Sequence, residues 1–287
     1  MKSAKSISEQ IEFLKSKNLI FKNEVKATQF ILQNSYYRLA GYWRKYQINS
    51  DKGKTNFIDN TTFEKIVDIY ELDASLGNLL QKGLRVFEVC FRSKFAYYTT
   101  HSEPIGQFLY LQQNSYNSKV TEKEKPEDLL IKINKELNRP NEKFAKHYQV
   151  TNKQISIWVA IELLTFSTMS RIYSRWINRD INKKISGDFK LFKSYESSIN
   201  IIRCLVDLRN LCAHQARLWN KRLAVEVIDK QYLQKFGPSN KESQWRIISI
   251  LMALVDEINQ NINYSNSVMN LCKQNEEFYK GLTEPTL

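Results

Sequence analysis

TTFEKIVDIYELDASLGNLLQKGLRVFEVCFRSKFAYYTT occupies residues 61–100. Phe63, Ile66, Val67 and Tyr70 open an apolar stripe at steps of three and four, and Leu80, Leu84, Phe87, Phe91 and Phe95 continue it. On a helix of about 3.6 residues per turn such steps return to one face. A long helix buried along one side is predicted. Asp73 and Gly77 interrupt the stripe, which predicts a break or a polar contact there.

The segments around it read the same way. Residues 155–178 are apolar almost all round (Trp158, Ile161, Leu163, Leu164, Phe166, Met169, Ile172, Trp176) and predict a buried central helix. Further helices are expected over 6–17, 24–34, 194–219 and 243–263. Residues 113–128 are polar without an apolar period, residues 138–153 contain Pro140, and 237–240 read Gly-Pro-Ser-Asn; all three are expected connections. The expected organisation is an N-terminal helical extension over 1–50, a helical core over 51–275 with an insertion at about 113–153, and a tail over 276–287.

Composition agrees. Only 8 Gly and 5 Pro occur in 287 residues. Sandwiches, barrels and Gly-rich nucleotide folds use both as turn punctuation, so an all-α fold leads. Hydrophobic residues at 42% and charged residues at 25% are globular proportions. No apolar run spans a bilayer, and Ile7, Glu9 and Gln10 follow the basic start where a secretory leader would be apolar, so a cytoplasmic protein without membrane attachment is expected. Cys90, Cys204, Cys212 and Cys272 form no C-x-x-C pair and read as buried thiols; His101, His147 and His214 are too scattered for a metal cage, so no metal or cofactor is expected. The net charge of +13 points to a polyanion, with nucleic acid ahead of membrane; a generally basic surface is the plain alternative.

Between Ile201 and Asn220 one face is committed to the core: Ile201, Leu205, Leu208, Cys212, Ala216 and Trp219 fall within roughly 80° of one another on a helix. The opposite side collects Arg203, Asn210, His214 and Arg217, with Arg209 on the flank. Histidine gives and takes protons near neutrality, and arginine offers a fixed fork of donors that matches phosphate oxygens. Together they suit metal-free cleavage of an RNA phosphodiester, with Asn210 orienting the imidazole or binding a phosphate oxygen. A two-fold dimer would supply the second histidine that in-line cleavage wants. From spacing alone, an ordinary surface helix fits as well.

Leu208-Arg209-Asn210-Leu211-Cys212-Ala213-His214-Gln215-Ala216-Arg217-Leu218-Trp219-Asn220 resembles the signature of Abi-like (AbiD/AbiF-type) abortive-infection proteins, of the HEPN superfamily, whose members share an R-x4–6-H motif. Ser35-Tyr36-Tyr37-Arg38-Leu39-Ala40-Gly41-Tyr42 is similar to their N-terminal Y-Y-R-L-x-G-Y. Tyr70–Asp73 with Glu88 and Arg92, and Ile157–Phe166, resemble two further family helices. Ser156-Ile157 stands where a Pro is usual, Ser167 where a Gly is, and Gln215 where a second His is common. The resemblance implies an all-helical HEPN-like bundle, a homodimer with a composite Arg209/His214 site, metal-independent RNase activity in phage defence, and control by a small RNA or an antitoxin.

Two basic regions remain. Arg171, Arg175, Arg179, Lys183, Lys184, Lys190 and Lys193 put seven positive against two negative side chains between 171 and 193. They predict a strip that tracks a phosphate backbone or, more plainly, a solvated basic face. Tyr36–Tyr46, with Arg38, Arg44 and Lys45, stacks unpaired bases or, as the preferred reading, anchors the N-terminal helices by packing. Glu162, in an apolar helix, is expected to need a buried partner, Arg209 or Arg92. The functional expectation is an endoribonuclease. Its alternative is a non-catalytic protein that holds a structured small RNA, and no helix-turn-helix spacing supports a DNA-binding regulator.

Overall fold

The computed structural model describes residues 4–48, 55–117, 125–139, 146, 148, 154–190, 192, 194–223 and 235–286. Among them the α-helices are α1 (Ile7–Lys15), α2 (Glu24–Asn34), α3 (Tyr36–Trp43), α4 (Phe63–Thr100), α5 (Pro126–Leu137), α6 (Ile157–Leu163), α7 (Phe166–Arg175), α8 (Arg179–Asp188), α9 (Tyr195–Ala213), α10 (Gln244–Asn259), α11 (Asn263–Lys273) and α12 (Glu276–Thr283). Extended pairing among the described residues is limited to isolated bridges such as Ile20–Thr62. The fold is all-α, as composition and periodicity predict.

Side-chain caps replace Gly and Pro as punctuation. Ser6, Asn23, Thr62, Thr165, Ser194 and Asn275 each accept a backbone N–H from the first turn of the helix that follows. Each such cap is typically worth about 1 kcal/mol. At Ser6 the cap is a reciprocal box with Glu9.

The centre of the molecule is α4. Its stripe from Phe63 through Leu80, Leu84, Phe87, Phe91 and Phe95 is buried, and α6, α8, α9, α10 and α11 pack around it. The helix buried on nearly every side is α10, from Trp245 to Asp256. The expectation that 155–178 forms one buried central helix is corrected. The stretch breaks at Leu164 into α6 and α7, because buried Glu136 of α5 accepts the Thr165 N–H at 2.8 Å and the Thr168 hydroxyl at 2.8 Å, and so satisfies the start of a new helix. Trp158 is half exposed and Glu162 is exposed, so Glu162 needs no buried partner.

The helix foreseen over 243–263 ends at Asn259, where Gln260 turns left-handed at φ 54°. Two helices follow. Phe278 and Leu282 of α12 are buried, so residues 276–283 belong to the packed body. Cys204, Cys212 and Cys272 are buried free thiols and Cys90 is half-buried. Pro140, His147, Lys193 and, within the expected 113–153 insertion, residues 118–124, 140–145, 147 and 149–153 lie outside the described residues. No helix among those described is long and apolar enough to cross a membrane.

Candidate nucleic-acid site

The helix expected over 194–219 stops at Ala213. His214 is its C-cap, with its N–H donating to Asn210 O at 3.0 Å. Gln215 turns left-handed at φ 50°, and the Ala216 N–H reaches back to Leu211 O at 2.8 Å, closing the helix end. Ala216 and Trp219 are therefore not part of a helical stripe. The reason is Asp73. Its carboxylate accepts the N–H groups of Leu218 and Trp219, each at 2.9 Å, and the Tyr42 hydroxyl at 2.7 Å. These acceptors replace the carbonyls that a continuing helix would have supplied.

Burial pushes the Asp73 carboxyl up to about 6, although Tyr42 and the two backbone donors pull it down. Trp219, fully buried, lies parallel to Tyr42 at 6.4 Å between ring centres and near-parallel to Tyr46 at 6.1 Å. Asn220 Oδ1 accepts the Thr286 N–H at 2.7 Å. Arg38 donates to the Tyr70 hydroxyl at 2.9 Å and to Gln215 O at 2.5 Å. The segment after α9 is thus held from α3, α4 and the C-terminal end at once.

This scaffold leaves His214 exposed. With Asn210 it lines a pocket of about 410 Å³, whose walls also include Asp207, Leu208, Leu211, Lys221, Arg222 and Gln244. Arg209 does not line it. It turns towards α4, where its Nε lies 3.8 Å from Glu88 Oε2, and Glu88 also pairs with Arg92. Asn210 links the two sides, since its Oδ1 accepts from Arg209 at 3.2 Å. Burial pushes the Asp207 carboxyl up, and Arg203, exposed on α9, draws it back down in part.

Arg217 does not share the face of His214. With the helix ended, it folds back half-buried against Gly41 and donates to Asn220 O at 3.2 Å. Sequence reasoning missed Asp207, Lys221, Arg222 and Gln244. Lys221 and Arg222 directly follow the motif and were open to notice; Gln244 comes from a distant helix and carries no local signal.

The basic strip is corrected at one position. Arg175 is 1% exposed, so it cannot track a backbone. Arg171 is half-buried, Arg179 lies 4.4 Å over the Tyr195 ring, and Lys183 and Lys184 are exposed on α8. The aromatic segment packs: Tyr42, Trp43 and Tyr46 are buried, Lys45 lies 5.0 Å over Trp219, and Arg44 is exposed.

The molecule is therefore an all-helical, strongly basic protein in which three distant sequence motifs meet at one buried carboxylate beside an exposed histidine. The sequence profile of the Abi-like proteins matches residues 29–220, and the chain belongs to that family, whose association is with abortive-infection defence. No curated protein matches the chain, and no solved structure does.

Proposed function

We propose that the protein is a HEPN-type endoribonuclease of abortive-infection defence, acting in the cytoplasm as a homodimer and cleaving RNA without a metal ion. The observation that carries this reading is the exposed His214 imidazole beside Asn210, on a pocket flanked by Lys221 and Arg222. In this mechanism one His214 takes the proton of a ribose 2′-hydroxyl. The resulting oxygen attacks phosphorus and forms a 2′,3′-cyclic phosphate. The partner's His214 gives its proton to the departing 5′-oxygen. Arg209 stabilises charge on the phosphorane-like transition state. In a single chain Arg209 and His214 serve different sides of the helix end, which is why the reading calls for two copies.

The pairing of Arg209 with Glu88 favours a second reading, in which the protein holds a structured small RNA without turnover. One assay separates the two. Purified protein incubated with single-stranded RNA in EDTA yields cleavage products on the first reading and only a mobility shift on the second.

A further inference from the structure

The pocket beside His214 has more shape and chemistry than phosphate binding requires. Phosphate needs cations and N–H donors; this pocket has hydrocarbon walls, Leu208 and Leu211 of α9 with Leu223 beyond it, and two acceptors, Asp207 and Gln244. Asp207 is exposed at its edge. Gln244 is 2% exposed, and its Oε1 has no hydrogen-bond partner among the described residues. Among the described residues its amide is held by a 3.4 Å contact from Nε2 to Arg222 O, at the limit for such a bond. A buried amide oxygen without a donor is normally costly and calls for a partner.

We infer that this pocket seats one unpaired nucleobase next to the reacting phosphodiester, and that it selects guanine. A base in the pocket has its faces against leucine side chains. Its edge meets two acceptors, which requires two donors. Guanine carries adjacent N1–H and N2–H donors on its Watson–Crick edge. Adenine and cytosine offer one amino group there and uracil a single imino N–H. Lys221 and Arg222 flank the pocket and meet the phosphates on either side, which offsets the charge of Asp207. Single-stranded RNA is the form that presents a free edge of this kind. The inference deepens the ribonuclease reading and rests on it for the phosphodiester, but base binding stands on the pocket alone.

The test separates the two. Fluorescent tetranucleotides with 2′-deoxy sugars, UUGU, UUAU, UUCU and UUUU, cannot be cut through a 2′-hydroxyl, so their anisotropy with the full chain reads binding only. The G-containing oligonucleotide is expected to bind roughly tenfold more tightly than the others, the scale of one bidentate base contact. Gln244→Leu should remove that preference. Asp207→Ala, at an exposed position, should do the same and guards against a Gln244 variant that fails to fold. Equal affinity for all four bases, or a guanine preference that survives Asp207→Ala, overturns the inference. The ribo-oligonucleotides are then assayed for cleavage in EDTA. Guanine-selective binding without cleavage leaves the base pocket standing and removes the ribonuclease reading; cleavage without selectivity does the reverse.

Discussion

The carboxylate of Asp73, in the N-terminal third of α4, accepts the backbone N–H of Trp219 at 2.9 Å from 146 residues away in sequence. Through this contact α4 fixes the path of the chain just after His214. Arg38 and Tyr42 reach the same place from α3, and Asn220 ties it to the C-terminal end. The motif residues other than His214 and Asn210 are thus largely occupied in holding the turn.

Asp73→Ala should be severely destabilising. It leaves two backbone N–H groups and the Tyr42 hydroxyl without acceptors in a buried place. At about 1–3 kcal/mol for each unsatisfied donor, a loss of several kcal/mol is expected. Denaturant unfolding measures it; a loss under about 1 kcal/mol, the low end of that range, would contradict the anchoring role.

The same carboxylate should make stability depend on pH. Its folded value of about 6 lies above the ordinary aspartate value of 3.8, so between these limits the folded state holds more of the proton than the unfolded state does. By linkage this group's contribution falls as pH rises from about 4 to about 6, by up to roughly 3 kcal/mol, and changes no further above that. Comparing wild type with Asp73→Asn across this range isolates it from other carboxylates. The variant should gain on the wild type as pH rises. A constant difference, or one of opposite slope, would refute the assignment.

Gly281 of α12 is required by Trp219. A Cβ at that position would stand 2.0 Å from the indole Nε1. Gly281→Ala should lower stability by about 1–3 kcal/mol, the usual cost of overpacking. It should also raise exchange of the Trp219 indole N–H, read by hydrogen exchange. Unchanged melting and exchange would show that the C-terminal helix does not bear on the turn.

The basic residues of 171–193 should divide by burial. Lys183→Glu with Lys184→Glu, on exposed positions, should keep the fold and weaken binding of single-stranded RNA. The slope of log affinity against log salt should flatten by about 0.7 for each phosphate that the variant no longer neutralises. Arg175→Glu should instead unfold the protein, because it places an opposite charge in a buried site. Unaltered affinity and slope in the double variant would remove α8 from the RNA surface.

The sequence carried the fold class and the long stripe of α4, because apolar periodicity is a local property of the chain. It also flagged Asp73, a carboxylate where the stripe wanted hydrocarbon, without saying what it bonds. It could not show the end of α9. The spacing from Ile201 to Trp219 fits one helix, and the acceptor that stops that helix lies 145 residues away from Leu218. That one misplaced end moved Arg217 from the histidine's face to a half-buried place against Gly41. The break at Thr165 has the same origin, since its carboxylate partner Glu136 comes from another helix. Gln244 was illegible in the same way, because a pocket wall supplied from afar leaves no spacing to read.

The rate of cleavage by a folded His214→Ala protein tests most directly whether His214 moves the protons of RNA cleavage. His214 is exposed, so the variant should melt as the wild type does. With single-stranded RNA in EDTA the account predicts a rate lower by about 10²–10⁴-fold, the usual loss on removing a general acid or base. Cleavage by the variant at the wild-type rate would contradict it.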